Sequence, residues 1–275
     1  MRTIGIIRNT DMAASKAYSE SLAEYIREHG AVSCISSSGA DLPKECECAF
    51  VLGGDGTLLR AAKAVYERQL PLLGINLGNL GYLAEVDTGA MYKAVDRVLA
   101  GDCSIERRMM LKGRIIRDGK VIYEDLALNE IVVNRLGSLR SYVIKNYVNG
   151  AFLNSYSADG VIIATATGST GYNLSVGGPI VSPDAELLLL TPLAAHSLIS
   201  RSIIFGGNDT IRVEIGEGRC GFAFDVAVVR FDGEGSQMLQ TGDKIEIHRS
   251  ECCTNIIKLN NISFLEVLRR KMADA

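Results

Sequence analysis

The sequence lacks the features that would direct it to a membrane. Its 275 residues contain no tryptophan and five prolines, and the longest apolar run, around 187–193, is far shorter than the roughly 18 residues of a membrane-spanning helix. The first residues enter a strand-like segment at 3–8, without the apolar core and small-residue cleavage site of a secretory signal. We therefore expect no membrane partner.

Metal-ligand and disulfide patterns are also missing. The seven cysteines include no Cys-x-x-Cys pair, and His29, His196 and His248 show no ligand spacing. An odd number of cysteines without a secretory signal is typical of reduced thiols that pack as small apolar side chains. We expect a cytoplasmic protein that has no metal site of its own.

Neither sign of charge dominates, because 29 Lys and Arg stand against 32 Asp and Glu, a formal net charge of −3. Such a chain has no general attraction for nucleic acid, so we expect no nucleic-acid partner. Glycine, by contrast, is abundant, with 28 of 275 residues, or about a tenth, against a usual share of about 7%. Many of these glycines lie in three stretches, 53–56, 74–81 and 168–178, each of which follows a strand-like run.

Two regions of different pattern divide the chain. Residues 1–102 alternate short apolar runs with helical periodicity, which predicts an α/β domain with an open, mainly parallel sheet. Residues 103–260 contain strand-like runs joined by turn dipeptides, including Asp118-Gly119 and Asn149-Gly150. These dipeptides are strong hairpin signals, and they predict a mostly-β, sandwich-like domain.

Shorter elements are expected within and after these domains. The last segment, 261–275, contains a predicted helix in which Ser263 and Glu266 form a capping box, and we expect it to pack back on the α/β domain. Strands in the second half are expected at 160–164, 186–191, 210–215, 222–230, 244–248 and 254–259.

The glycine turn at 53–57 carries the first chemical signal. A buried strand delivers Gly53-Gly54-Asp55-Gly56-Thr57 to the start of a helix, where free backbone N–H groups and the helix dipole favour a phosphate. Asp55 would repel a bare phosphate, so it would orient a cation or take a proton from an attacking hydroxyl. An ordinary glycine turn with an Asp cap is the alternative. The sequence contains no G-x-x-x-x-G-K-[ST], which excludes a P-loop.

Two further segments suit a nucleoside. In Asn129-Glu130 the amide can pair with a base edge and the carboxylate can accept from two ribose hydroxyls, although a solvated strand end is the alternative. The segment 159–180 runs from Asp159 into a hydroxyl-rich glycine turn, whose N–H and O–H groups can bind phosphate or ribose oxygens. Tyr172 follows and offers a flat surface to a base or a nicotinamide ring.

These segments resemble, in order, the motifs of a known family. The turn at 53–57 is similar to the GGDGT signature shared by NAD kinases, diacylglycerol kinases and sphingosine kinases. The stretch 74–83 resembles the G-I-N-x-G-x-L-G-F-L segment of NAD kinases, with Tyr82 in the aromatic place. Asn129-Glu130 and 159–180 resemble the N-E and T-G-S-T-A-Y motifs of NAD kinases, and the lipid kinases lack the second of these. The sequence is thereby identified as a member of the NAD kinase family.

The resemblance implies transfer of the γ-phosphoryl group of ATP to the 2′-hydroxyl of the adenosine ribose of NAD. Asp55 would be the general base, and Mg²⁺ would bridge the ATP phosphates in the glycine turn. The resemblance also implies a homodimer or homotetramer assembled through the β domain. The residues expected to contact ATP or NAD are Gly53, Gly54, Gly56, Thr57, Arg60, Asn129, Glu130, Arg140, Asp159, Thr167, Thr170, Gly171, Tyr172, Asn173, Ser175 and Glu234.

The sequence departs from the family pattern at several of its motif positions. Gly171 and Ala166 replace the usual Ala and Pro, Glu234 stands where Gln is common, and Ser157 stands where many members have a basic residue. These changes would alter loop stiffness and individual ligand contacts. His196 lies in a segment similar to T-P-x-x-x-H-S-L-x-x-R, where we expect it to brace loops rather than to act as a base.

Two other functions stay open at this point. A soluble lipid kinase would share the GGDGT chemistry and would phosphorylate diacylglycerol. A nucleotide-binding sensor would keep the pocket without turnover. Retention of Asp55 disfavours the sensor, and the polar β domain disfavours the lipid kinase.

Overall fold

The computed structural model describes residues 2–78, 81–136, 142–195, 201–218, 227–259 and 263–273. The chain divides into two compact units, Met1–Arg108 with Cys252–Ala275 and Met109–Glu251. The helices are α1 (Ala13–Glu28), α2 (Asp55–Ala64), α3 (Met91–Ala100), α4 (Tyr172–Ser175) and α5 (Phe264–Ala273). The strands are β1 (Thr3–Arg8), β2 (Val32–Ser36), β3 (Cys46–Gly53), β4 (Leu72–Asn76), β5 (Val86–Asp87), β6 (Ser104–Arg117), β7 (Lys120–Ala127), β8 (Glu130–Arg135), β9 (Tyr142–Val148), β10 (Ala151–Ala158), β11 (Gly160–Thr165), β12 (Leu187–Leu193), β13 (Ile203–Gly206), β14 (Ile211–Gly218), β15 (Ala227–Phe231), β16 (Glu234–Leu239) and β17 (Lys244–Lys258).

The first unit is built on a parallel sheet. Its strands run in the order β2, β1, β3, β4, and the last part of β17 joins β4 through the parallel pair of Ile256 and Leu72. β3 and β4 are buried along nearly their whole length, as is usual for parallel strands covered on both faces. The predicted α/β domain with an open, mainly parallel sheet is confirmed.

Helices cover both faces of this sheet. Leu22 of α1 and Val95 of α3 share a buried apolar cluster with Phe50 of β3. Gly74 of β4 faces the other way, and a Cβ atom at its position would lie 2.8 Å from Leu58 of α2. Because successive residues of a strand point to opposite faces, α2 packs on the face opposite to α1 and α3.

The ends of β3 and β4 bring two glycine-rich segments together. Gly53 at the end of β3 pairs with Asn76 at the end of β4. Helix α2 begins directly after β3, and the segment 77–83 follows β4. The carboxyl ends of neighbouring parallel strands are where open α/β sheets bind ligands. The fold therefore places the first two glycine stretches of the sequence together at the carboxyl ends of β3 and β4.

Helix α5 belongs to the first unit, in agreement with the expected return to the α/β domain. One half of the expected capping box is present, since Glu266 donates its backbone N–H to Ser263 Oγ at 3.3 Å, while the Glu266 carboxylate accepts from Arg270. Lys271 Nζ lies 5.5 Å from the centroid of the Tyr82 ring. Of its apolar side chains, Phe264, Val267 and Leu268 are partly buried, whereas Leu265 and Met272 are 71% and 68% exposed.

The second unit consists of antiparallel sheets. One has the order β13, β12, β11, β8, β15, β16, and in the other β10, β9 and β14 are followed by the first part of β17. A single buried cluster takes Ile144 and Val213 from one sheet and Ile163 and Val229 from the other. Two sheets that share one core form a sandwich, as predicted from the turn-punctuated strands.

Three hairpins of this unit use the same turn. Asp118, Asn149 and Asp232 have φ angles of 49°, 50° and 52°, and the glycine after each also has a positive φ. Two consecutive residues with positive φ are typical of a type I′ turn, the tight turn that matches the twist of paired strands. The hairpins predicted at 118–119 and 149–150 are confirmed, and the third joins β15 to β16.

Strand limits differ from the predicted ones mainly at β17. The predicted runs at 244–248 and 254–259 belong to one continuous strand, Lys244–Lys258. The polar residues between the two runs are part of this strand, and one of them, Ser250, is buried. The first part of this strand pairs with β14 and the last part with β4. Residues 252–259 consequently group with the first unit rather than with the β domain, as do 103–108.

Among the helices in the described ranges, none is long and apolar enough to cross a membrane.

Candidate functional site

The carboxylate of Asp55 is held by the glycine-rich segment that follows β4. Asp55 Oδ2 accepts the backbone N–H of Tyr82 at 2.8 Å, and Oδ1 accepts that of Leu83 at 3.1 Å. A Cβ atom on Gly81 would lie 2.0 Å from Asp55 Oδ1, so only glycine leaves room for the carboxylate there. The first two glycine motifs of the sequence therefore form one structure around a single acidic group.

The turn at 53–57 contains glycines of two kinds. A Cβ atom on Gly53 would lie 2.3 Å from Thr57 Oγ1, so the fold itself requires that glycine. Gly54 and Gly56 leave open space, since a Cβ atom on either would meet nothing within 4 Å. Their bare backbone lies at the first turn of α2, where the amide groups have no carbonyl partner within the helix. This surface is open to a ligand that approaches the backbone closely.

Thr57 is a bracing residue in this structure. It is buried, and its Oγ1 accepts a hydrogen bond from Asn9 Nδ2 at 3.1 Å. Arg60 Nη2 lies 3.5 Å from the same oxygen, and the Arg60 residue is exposed. The sequence motifs do not include Asn9, although it follows β1, the strand next to β3 in the sheet, and this placement at the strand end is a signal that could have found it.

In the second unit, Asp232 fixes the backbone of the Asn129-Glu130 motif. Asp232 Oδ1 accepts the N–H of Asn129 at 2.8 Å and that of Glu130 at 3.0 Å, and Oδ2 accepts the N–H of Leu128 at 2.7 Å. The backbone N–H of Asp232 donates to the Glu130 carbonyl at 3.0 Å. The sequence suggested a ligand contact for Glu234 in the same turn, and the structure shows that Asp232 of this turn holds the start of β8.

The hydroxyl-rich turn packs directly on the same motif. Thr165 Oγ1 donates to the Leu128 carbonyl at 2.6 Å and accepts the N–H of Gly168 at 3.0 Å. A Cβ atom on Gly168 would lie 2.1 Å from the Asn129 carbonyl oxygen. A 3-10 turn at Thr167–Thr170 is thereby locked against Asn129-Glu130. The third and fourth sequence motifs form one structure, as the first and second do.

Glu130 and Asn129 each carry a buried polar atom for which the described part of the chain provides no hydrogen bond. Among the described residues, Glu130 Oε2 and Asn129 Oδ1 are buried side-chain oxygens without a hydrogen-bond partner. Burial and the facing charge of Asp232 raise the pKa of Glu130 to about 8, against the lowering effect of the Tyr172 N–H. Unsatisfied buried acceptors are costly, so these atoms mark a place where a polar ligand would be stabilised.

Side chains around α4 divide into ligand-accessible and structural ones. Tyr172 is 45% exposed and Ser175 is exposed. Asn173 is fully buried, donates to the carbonyls of Ser169 at 3.2 Å and Pro179 at 3.1 Å, and accepts from Thr191 Oγ1 at 2.7 Å. The amide of Asn173 is thus committed to the loop, and its predicted ligand contact has no support from this geometry.

The remaining predicted residues are more dispersed. Asp159 forms an ion pair with Arg135, whose Nε lies 3.1 Å from Asp159 Oδ1. Thr167 is buried, and its carbonyl accepts Thr170 Oγ1 at 3.2 Å. Glu234 is exposed on the turn after Asp232. The predicted contacts of Arg140 and His196 lie outside the described residues.

Sequence comparison supplies the family. Models of the ATP-NAD kinase N-terminal and C-terminal domains match residues 9–103 and 128–259. An NAD kinase of Lachnospira eligens is 45% identical over 239 residues, which cover 84% of this chain and 82% of that protein. An NAD kinase of Lachnoclostridium phytofermentans is 38% identical over 285 aligned residues, 100% of both chains.

Two solved structures share the fold. The crystal structure of yeast NADH kinase complexed with NADH has a TM-score of 0.91 at 22% identity, covering 99% of this chain and 88% of that one. The crystal structure of an NAD kinase from Archaeoglobus fulgidus in complex with ATP has a TM-score of 0.81 at 23% identity, covering 100% of both. With the family models and the relatives above, the conclusion is that this chain belongs to the ATP-NAD kinase family.

Proposed function

We propose that this chain transfers the γ-phosphoryl group of ATP to the 2′-hydroxyl of the adenosine ribose of NAD, which gives NADP and ADP. The observation that carries the proposal is the position of the Asp55 carboxylate. Asp55 lies in the first turn of α2 beside an open glycine backbone, and the backbone N–H groups of Tyr82 and Leu83 fix its carboxylate. The relatives named NAD kinase, up to 45% identical, support the choice of acceptor.

The ATP phosphates would bind at the turn around Gly54 and Gly56. The open backbone there and the positive end of the α2 dipole both favour an anion. The described residues contain no group of three or more His, Cys, Asp and Glu side chains that could hold a metal ion. We therefore treat Mg²⁺ as part of the substrate, bound to the ATP phosphates and neutralising their charge during transfer.

Asp55 would act as the general base. Its two oxygens are oriented by the Tyr82 and Leu83 N–H groups, and each oxygen keeps a lone pair for another donor. The 2′-hydroxyl would donate its proton to the Asp55 carboxylate. The ribose 2′-oxygen would form the bond to the γ-phosphorus of ATP, and the bond between the γ-phosphorus and ADP would break. Such positioned proton transfer contributes about 10²–10⁴ in rate.

NAD would bind in the second unit through the Asn129-Glu130 motif. The Asn129 amide and the unpartnered Glu130 oxygen are suited to the base and the ribose hydroxyls. The exposed Tyr172 ring would stack on a base or a nicotinamide ring. Asp159, Thr167 and Thr170 would complete the binding of NAD.

The cellular setting and the assembly are proposals of the same kind. Six cysteines among the described residues are free thiols, which suits a reducing cytoplasm. Exposed apolar side chains of the β unit, including Phe152 at 60% and Ile204 at 52%, suit a homodimer or homotetramer assembled through that unit. Light scattering at assay concentration tests the assembly, and a monomer would contradict it.

The test of function is NADP formation by the purified full chain with ATP, Mg²⁺ and NAD, with NADH and diacylglycerol as parallel acceptors. We expect Asp55→Asn to lower turnover at least about 100-fold, because the amide cannot take the proton. Glu24→Gln, the same carboxyl-to-amide change at an exposed position of α1, should leave turnover unchanged.

The amide introduced by Asp55→Asn would also turn a donor toward one of the two backbone N–H groups, so NAD and ATP binding are measured by calorimetry on the same variant. Loss of turnover with both ligands still bound supports the base. Unchanged turnover would exclude Asp55 as the base. If the native chain binds NAD but forms no NADP, the result favours a nucleotide-binding sensor. Phosphorylation of diacylglycerol by the native chain would favour the lipid kinase.

A further inference from the structure

Gly171 occupies a position where this chain departs from its family. The related motif usually has Ala before the tyrosine, and here glycine precedes Tyr172. The φ of Gly171 is −88°, which is outside the left-handed region, so φ does not require glycine. The contacts around Gly171 give a steric reason for the absence of a side chain at this position.

The neighbour of Gly171 is the Glu130 carboxyl group. A Cβ atom on Gly171 would lie 2.7 Å from Glu130 Oε2, whereas Asn129 Nδ2 and the Gly168 carbonyl would both be 3.3 Å away. A carbon–oxygen distance of 2.7 Å is too short for a non-bonded contact, so with alanine the carboxyl group would have to move. Glycine at 171 is thus what allows the observed position of Glu130.

In that position Glu130 is 8% exposed, and its Oε2 has no hydrogen-bond partner within the described part of the chain. The segment that joins the 167–170 turn to α4 faces the carboxyl group with Gly171 and the Tyr172 N–H. The β15–β16 turn faces it with the charged side chain of Asp232. A carboxylate in this place is poorly solvated and lies near a like charge, so the group holds its proton.

We propose that Gly171 is a positioning residue: it lets the Glu130 carboxyl group rest against the 167–171 turn, where the group holds a proton that it releases when the acceptor nucleotide binds. The inference rests on the proposed function, which assigns NAD to this motif. On binding, the O–H bond of the carboxyl group breaks, the proton passes to the solvent, and the carboxylate formed accepts the ribose hydroxyls. A carboxylic acid would instead present its own O–H to one of those donors.

The direction of the pH effect follows from the proton released. The pKa of Glu130 is raised to about 8 in the free protein. Below that pH each unit of acidification makes the proton harder to remove, so the affinity for NAD should fall up to about tenfold per unit, and it should be level above pH 8. With Gly171→Ala the displaced carboxyl group is better solvated, so the slope between pH 6 and 8 should flatten.

The experiment is calorimetry of NAD binding to the full chain at pH 6, 7 and 8, in buffers with different ionisation enthalpies so that released protons are counted. The native chain should release about one proton at pH 6 and should bind NAD about 50-fold more tightly at pH 8 than at pH 6. Gly171→Ala should release clearly less than one proton and show less than about a tenfold change. Gly206→Ala, where a Cβ atom would meet only an ordinary 3.4 Å contact, should behave as the native chain.

A second variant covers the case in which Gly171→Ala does not fold. Glu130→Gln keeps the size of the side chain and removes the titrating group, so proton release should disappear whatever the affinity. Native proton release in either Gly171→Ala or Glu130→Gln would overturn the proposal.

A ligand-free measurement separates this inference from the proposed function. In ¹³C spectra of chain labelled at the glutamate carboxyl carbons, the signal missing from Glu130→Gln should titrate near pH 8 in the native chain. It should titrate at lower pH in Gly171→Ala. If NAD fails to bind at every pH, the proposed function and the coupling fall together, while the titration alone still decides the contact between Gly171 and Glu130.

Discussion

Asp55 in the first unit follows the end of β3 and Glu130 in the second begins β8, and the two carboxyl groups differ in what holds them. Both oxygens of Asp55 accept backbone N–H groups, and the residue begins a helix. Glu130 is buried, one of its oxygens has no hydrogen-bond partner among the described residues, and a like charge faces it. Asp55 is therefore fixed by hydrogen bonds, whereas Glu130 is held mainly by packing.

Both groups depend on glycines that leave space for them. A Cβ atom on Gly81 would overlap the Asp55 carboxylate, and a Cβ atom on Gly171 would crowd the Glu130 carboxyl group. The overlap at Asp55 is more severe, 2.0 Å against 2.7 Å, and the neighbouring backbone N–H groups leave that carboxylate less freedom to move. In both units a glycine thus leaves the space that a carboxyl group occupies, and the unit with Asp55 tolerates an added methyl group less well.

The largest effect is expected where this tolerance is smallest. Gly81→Ala should displace the Asp55 carboxylate from the Tyr82 and Leu83 N–H groups and lower kcat about 100-fold, because a misplaced base loses its reach to the hydroxyl. The KM for NAD should change little, since the Asn129-Glu130 motif is untouched. Steady-state kinetics check this, with Gly206→Ala as the control. A kcat within about threefold of the native value would contradict the close packing of Gly81 on Asp55.

A smaller effect is expected in the second unit from Asp232→Asn. The two oxygens of the Asp232 carboxylate accept three backbone N–H groups, whereas an asparagine side chain has only one oxygen that can accept. The backbone of the Asn129-Glu130 motif should therefore loosen, and the KM for NAD should rise about 30-fold. Asp118→Asn makes the same change at the same position of the β6–β7 turn, where the residue is exposed, and should leave KM unchanged. Equal KM values for the two variants would remove Asp232 from the support of the motif.

The sequence predicts the strands, helices and turns of each unit, but it does not predict which of these elements contact one another within that unit. Apolar periodicity locates β3, α2 and β4, and the Asp-Gly and Asn-Gly dipeptides locate two hairpins, because these are local signals. The bond from the Tyr82 N–H to Asp55 depends on the register of Gly53 with Asn76, which no local pattern reveals. Asp232 and Asn129 are about a hundred residues apart in sequence, and only the pairing of β8 with β15 brings them together.

Motif resemblance also fails to distinguish ligand contacts from bracing residues. Thr57 and Asn173 lie within the most specific motifs, yet both side chains are buried and hydrogen-bonded to the protein. A motif is retained as a unit, and its residues include those that hold the turn in shape. Gly171 is the opposite case, because its departure from the family pattern acquires a meaning only when the position of Glu130 is known.

The last effect concerns stability rather than catalysis, and it is expected from Glu130→Gln. Folding raises the pKa of Glu130 from 4.5 to about 8, so the folded chain holds a proton that the unfolded chain releases. The resulting penalty is absent below about pH 4.5, grows as the pH rises and is complete above about pH 8. Glutamine removes this pH-dependent penalty, so the free energy of unfolding of the variant relative to the native chain should rise between pH 4 and pH 8, by up to about 1.4 kcal/mol per pH unit. The cost of burying the new amide is the same at both pH values and does not alter this difference. Urea unfolding at the two pH values measures the difference, and Glu24→Gln on the surface of α1 should show none. An equal gain at both pH values would mean that the change acts through packing, and the contrast between Asp55 and Glu130 would then rest on hydrogen bonding alone.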